Sequence, residues 1–199
     1  QVGNGAYTED KNANLSNVFN YDQNVTAGYL SYTLNTKGAY SFKTGGRYEY
    51  TTITARFANA AEFNTNIPSY GVFVPSLNIS KKLENGKTLK LAYNKRIQRP
   101  SIQFLNPNIQ AANPLNVTIG NPNLNPEYTD NYELSYSTFI KGTSLNFSGF
   151  LRNTTGAIQS IREAVPSGDT IKTRFANIGL ERAYGVNFFS GAELLAEKN

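Results

Sequence analysis

Apolar and polar residues alternate along most of this chain, with the period of two that strands impose on their side chains. Residues 128–140 show it most fully. Tyr128, Asp130, Tyr132, Leu134, Tyr136, Thr138 and Ile140 fall on one face, and Thr129, Asn131, Glu133, Ser135 and Ser137 on the other, with Phe139 the only break. Residues 143–152 repeat it, setting Leu145, Phe147, Gly149 and Leu151 against Ser144, Asn146, Ser148, Phe150 and Arg152. Shorter runs set Leu77 and Ile79 against Asn78, Leu89, Leu91 and Tyr93 against Lys90 and Ala92, and Tyr48 and Tyr50 against Arg47 and Glu49.

The pattern predicts seven strands, near residues 24–36, 39–57, 69–83, 87–98, 127–140, 143–164 and 169–195. Tight turns are expected at Lys37-Gly38, Asn85-Gly86 and Lys141-Gly142, where glycine supplies the positive φ of a two-residue hairpin. Looser connections fall at about 58–68, 99–126 and 165–169. The last two strands read as one long hairpin closed by Pro166-Ser167-Gly168-Asp169. Residues 1–20 are polar and Asn-rich and read as the tail of an outside loop. Only Ala192–Lys198 looks helical, and as the end of the last strand it is taken as β. Short turns thus alternate with long ones along an antiparallel meander, as in outer-membrane barrels.

Alternation by itself leaves two architectures open. In a sandwich the apolar faces meet in a core; in a membrane barrel they meet lipid and the polar faces enclose water. Tyrosine on the apolar faces (Tyr40, Tyr48, Tyr50, Tyr132, Tyr136) favours the barrel, because its ring suits an interface that is wet at one end. So do the lengths of the longest strands, which exceed the usual 5–6 residues of globular proteins. Bacterial single-chain barrels have an even strand count of at least eight. The expected fold is therefore all-β: an antiparallel meander forming about seven strands of a larger transmembrane barrel. Tyr132, Leu134, Tyr136, Leu145 and Phe147 are expected to face lipid. Lys43, Arg47, Glu49, Lys90, Glu133 and Arg152 are expected on the lumen side, where they line a substrate path or pair across neighbouring strands.

Composition narrows the chemistry. The 199 residues include no Cys, His, Met or Trp. Disulfides, thiolate metal sites, a Ser-His-Asp triad and an HExxH zinc site are excluded. Neither a cofactor nor a metal is expected, and no enzyme activity. Asp130 and Glu133 lie on opposite faces of one strand, which weakens a paired-carboxylate hydrolase. The formal net charge is +5, densest from Lys81 to Arg99, but no nucleic-acid motif accompanies it. No run approaches the 18 or so apolar residues of a membrane helix, a test that strands do not have to meet.

The stretch 93–136 carries the most specific signal. Tyr93-Asn94-Lys95-Arg96-Ile97-Gln98-Arg99-Pro100 and Gly120-Asn121-Pro122-Asn123-Leu124-Asn125-Pro126-Glu127 resemble the basic "RIxRP" strand exit and the "GNPxLxPE" loop end of TonB-dependent receptors and related outer-membrane barrel proteins of Bacteroidetes-like bacteria. Gly46-Arg47-Tyr48-Glu49-Tyr50-Thr51, Asp22–Tyr29 and Phe175-Ala176-Asn177-Ile178-Gly179 with Tyr184-Gly185-Val186 resemble further strands of that family. The resemblance implies energy-coupled uptake of a siderophore, glycan or peptide through a plugged barrel in the bacterial outer membrane. It implies contact with outer-membrane lipid, with the TonB complex through an N-terminal region missing here, and with a surface lipoprotein; nucleic acid is not a partner. The plug domain is absent from this sequence, which opens without Met and reads as a processed or partial chain. Within the Pro/Asn-rich outside loop 99–126, Arg99, Phe104, Leu105 and Asn121 are candidate loop residues, Phe104 and Leu105 being the expected anchors. A passive pore, a surface adhesin and a secreted glycan-binding β-sandwich remain as alternatives.

Overall fold

The computed structural model describes residues 18–57, 69–113, 115–140, 142–166 and 169–192, and strands dominate it. In chain order the elements are β1 (Phe19–Asn35), β2 (Tyr40–Phe57), β3 (Tyr70–Lys82), β4 (Thr88–Gln98), a single helical turn α1 (Ile102–Leu105), β5 (Gln110–Asn113), β6 (Asn116–Ile119), β7 (Glu127–Ile140), β8 (Thr143–Thr155), β9 (Ile158–Ala164), β10 (Ile171–Asn177) and β11 (Leu180–Ala192). One seven-stranded sheet has the order β1-β2-β3-β4-β7-β8-β11, and every neighbouring pair in it is antiparallel. β1 and β11 are its edges, so the barrel is not closed. β1 starts at Phe19, ahead of the expected start near 24.

Cross-strand register sorts the side chains into two faces. Arg47 lies opposite Val74 and Lys43 opposite Asn78; Ala92 lies opposite Glu133, and Asn131 opposite Arg152. These form a polar face. On the other, Leu91 lies opposite Leu134 and Tyr93 opposite Tyr132, Tyr136 opposite Phe147, and Phe188 opposite Phe147. This apolar face is uncovered among the described residues: Leu134 is 53% and Val186 87% exposed. In a sandwich such a face would be buried against a second sheet. The few buried hydrophobic residues (Ala55, Val72, Leu105, Leu124 and Ala157) instead belong to the end of the sheet where the long connections fall.

The tight turns sit together at the opposite end. Asn85 and Gly86 both have positive φ, at 58° and 71°, the combination a type I′ hairpin demands. Gly142 has φ 81°. In the first turn the positive φ falls on Ala39, at 65°, rather than on Gly38.

The long hairpin departs from expectation. It does not run straight from 143 to 195 but bends at facing glycines, Gly156 and Gly179, both at φ 68°. Side chains disfavour this left-handed conformation by about 1–2 kcal/mol. Across the bend Gly156 N–H donates to Gly179 O (3.2 Å) and Ile178 N–H to Ala157 O (2.8 Å). Beyond it the hairpin continues as β9 and β10, which enter a second sheet of order β5-β6-β10-β9. Its strands β5 and β6 come from the loop 99–126, with β6 joining β10 in parallel. The loop is therefore folded into a cap. Residues 1–17 of the expected outside loop, the expected connection at 58–68 and residues 193–195 of the expected last strand, with the rest of the helical-looking stretch to 198, lie outside the described residues.

Candidate functional site

The site is built where the cap meets the sheet. Glu49 sits on the polar face of β2 with only 5% of its side chain exposed, between two guanidinium groups. Arg47 approaches one carboxylate oxygen at 2.6 Å. Arg99, just past the end of β4, approaches the other at 2.5 Å and donates to Thr51 Oγ1 at 2.9 Å. Thr51 itself is fully buried. Burial alone would lower the Arg99 pKa, but its bond to Glu49 and the neighbouring Tyr70 outweigh this and raise it, so the residue stays charged. The basic strand exit is thereby tied to the Gly46–Thr51 segment far from it in sequence.

A second junction joins two other motifs. Asn177 accepts from Asn125 N–H (2.8 Å) and donates to Asn125 O (2.9 Å) and Gly156 O (2.6 Å). Asn121 donates to Phe175 O at 3.0 Å, and the Phe104 and Phe175 rings lie 4.5 Å apart. Glu127 accepts from Ile158 N–H at 2.7 Å. Gly120 packs directly on the Asn106 backbone, and a Cβ there would overlap it. The residues of Gly120–Glu127 thus hold the loop to the bent hairpin. Replacing Asn177 with alanine removes three bonds to backbone groups. The expected cost is about 1–2 kcal/mol, since several of these groups can rebond to water. Faster hydrogen exchange at residues 121–126 would show it; unchanged exchange would refute the latch.

Between cap and sheet lies a cavity of about 290 Å³. Tyr21 and Gln23 of β1, Ile53 of β2, Tyr70 of β3 and Tyr128 of β7 form its sheet side, and Arg99, Pro100, Leu105 and residues 122–126 its cap side. Tyr21 donates to Gln23 Oε1 at 2.9 Å.

Of the residues singled out from sequence, the structure brings Arg47, Glu49 and Arg99 into one cluster. Leu105, 3% exposed, lies in the cap with Phe104 and Asn121. Lys43, Lys90 and Glu133 stand apart on the polar face, each exposed. Arg152 lies over the Phe150 ring, 4.8 Å from its centroid. Tyr132, Leu134, Tyr136, Leu145 and Phe147 share the apolar face. Sequence reading did not single out Tyr21, Gln23, Tyr70, Asn125, Tyr128 or Asn177 as site residues. Gln23, Asn125 and Asn177 lay within recognised motifs, which was the available signal. Among the described residues no three His, Cys, Asp or Glu side chains come together. No helix there is long and apolar enough to cross a membrane.

The apolar face ends in two ordered rows. Tyr93, Tyr132, Leu151 and Tyr184 are in register across four strands, and one step nearer the cap come Lys95, Asp130, Asn153 and Arg182. Tyr93 donates to Asp130 at 2.8 Å and Lys95 reaches the same carboxylate at 3.3 Å. An aromatic row backed by a polar one is the interface signature of membrane barrels.

These features define a piece of an outer-membrane β-barrel. The chain belongs to the outer membrane protein beta-barrel family, whose sequence pattern matches residues 2–196. It is thus a protein of the bacterial outer membrane. No curated protein is significantly similar in sequence. Among solved structures, the hemophore receptor HasR of Serratia marcescens, in complex with its hemophore HasA and heme, is similar over 86% of this chain and 32% of its own, at TM-score 0.69 and 14% identity. The copper transporter OprC is similar over 86% of this chain and 27% of its own (TM-score 0.63, 14% identity). The siderophore receptor PirA of Pseudomonas aeruginosa covers 87% and 40% (TM-score 0.55, 15% identity). The chain therefore spans roughly a third of the length of these proteins, and at such identity the likeness is one of fold.

Proposed function

We propose that this chain forms part of the wall of an outer-membrane receptor that imports a scarce nutrient with energy delivered through TonB. The observation that carries the reading is the uncovered apolar face of the seven-stranded sheet, bounded by its tyrosine and polar rows, in a fold shared with receptors and a transporter. The uncovered face meets lipid, with Tyr132, Leu134, Tyr136, Leu145 and Phe147 in contact. The polar face, with Lys43, Arg47, Glu49, Lys90, Glu133 and Arg152, borders the path of the cargo. The cap of residues 99–126 lies on the outside. TonB and a surface lipoprotein are the proposed protein partners, and the chain carries out no covalent chemistry.

Deleting the gene and testing growth on heme, ferric siderophores and copper complexes as limiting sources tests this directly. Loss of growth on one source is expected, and a protonophore should abolish uptake of that source by wild-type cells. Uptake that survives the protonophore would indicate a passive pore instead and overturn energy coupling.

A further inference from the structure

We infer that the cavity between cap and sheet is a binding site for a small aromatic carboxylate. Its volume of about 290 Å³ lies at the lower end of ligand pockets, which run from about 300 to 1,000 Å³. It fits one ring and a short substituent rather than a whole siderophore or oligosaccharide. The lining is rich in rings: Tyr21, Tyr70, Tyr128, Pro100, Pro122 and Pro126 contribute to it, together with Ile53, Leu105 and Leu124. Flat faces of this kind favour a flat guest, because stacking adds to simple burial.

Charge selects the substituent. Among the described residues Arg99 is the only ionic residue lining the cavity, and no carboxylate lines it. The neighbouring cluster has two guanidinium groups and one carboxylate, Glu49, so it retains a net positive charge. Glu49 and Thr51 both engage a single nitrogen of Arg99, its Nη2. Among the described residues the buried Nε–H has no acceptor, and a fifth of the side chain remains exposed. Arginine is the side chain best suited to pair with a carboxylate while its plane stacks on a ring. An occupant with one acidic group would pair with the part of Arg99 that remains exposed and balance the charge; a neutral ring would do neither.

This site does not rest on the uptake reading. Binding is measured without transport, so its failure leaves energy-coupled import standing, and failure of import leaves the site standing. The probes are benzoate and benzamide, which share a shape and differ in charge, added to the intact protein in lipid nanodiscs and followed by ligand-observed NMR. Benzoate should bind at least about tenfold more tightly than benzamide, a difference of about 1.4 kcal/mol. It should also slow hydrogen exchange at residues 122–126 of the wild-type protein, a reading that needs no variant. Ile53→Trp, which fills the cavity and leaves Arg99 in place, should abolish both effects. Equal binding of the two probes, benzoate binding that survives Ile53→Trp, or no effect on exchange would overturn the assignment.

Discussion

Replacing Glu49 with alanine is expected to destabilise the protein by about 3 kcal/mol, among the larger costs of a single substitution. The carboxylate is almost wholly buried and serves two arginines. Without it the Arg99 charge has no ionic partner among the described residues, and breaking a buried pair from one side costs about 3–5 kcal/mol. The lower end applies because Arg47 is half exposed and keeps most of its hydration. The measurement is the urea midpoint of the intact protein folded in lipid vesicles. A second arm separates charge from packing. Combining Glu49→Leu with Arg99→Met should recover much of the loss, since two apolar side chains leave no stranded ion. If the double variant is no more stable than the single one, the ion pair is not what holds the junction.

Leu134→Arg is expected to cost about 1–3 kcal/mol, between the penalty for a cation at mid-membrane and the small one at the interface, because Leu134 lies one same-face step inside the tyrosine row. A neighbouring position makes the contrast. Ala92 lies one step along from Leu91, the cross-strand partner of Leu134, but on the opposite face and across from Glu133. An arginine there gains a carboxylate in water, and Ala92→Arg should change the urea midpoint little. Equal losses at the two positions would mean that the faces do not differ in solvent, and the lipid assignment would fall.

The meander was readable because each of its strands carries its own evidence. Alternation from Tyr128 to Ile140 fixed β7 to the residue, and the tight turns fixed the end of β1 and the bounds of β2 to β4 nearly so. The bend at Gly156 and Gly179 was not readable. Thr154-Thr155-Gly156-Ala157 continues the strand composition, and only its pairing with a second glycine makes it a hinge. β5 and β6 are four residues each, too short for any period to show. The receptor-like motifs were visible as separate strings, but what each one touches was not. Arg99 meets Glu49, and Asn125 meets Asn177, across separations that only the sheet order sets. The cavity is hidden for the same reason: its three tyrosines come from three different strands and none belongs to a motif with Arg99. Tyr21 also lies before the expected start of the first strand.

The parallel pairing of β6 with β10 bears on how the molecule is assembled. β2 can zip onto β1, β4 onto β3 and β8 onto β7 through short loops at small entropic cost. β6 must wait for a strand made far later in the chain, and loop-closure entropy delays contacts of that kind. The order of events is therefore wall first and cap last. A chain arrested before β10 is synthesised would keep the first hairpins but leave residues 99–126 without a dock, open to proteases. Protection of that segment is then a timer for completed folding, usable in pulse-chase experiments without any knowledge of the cargo.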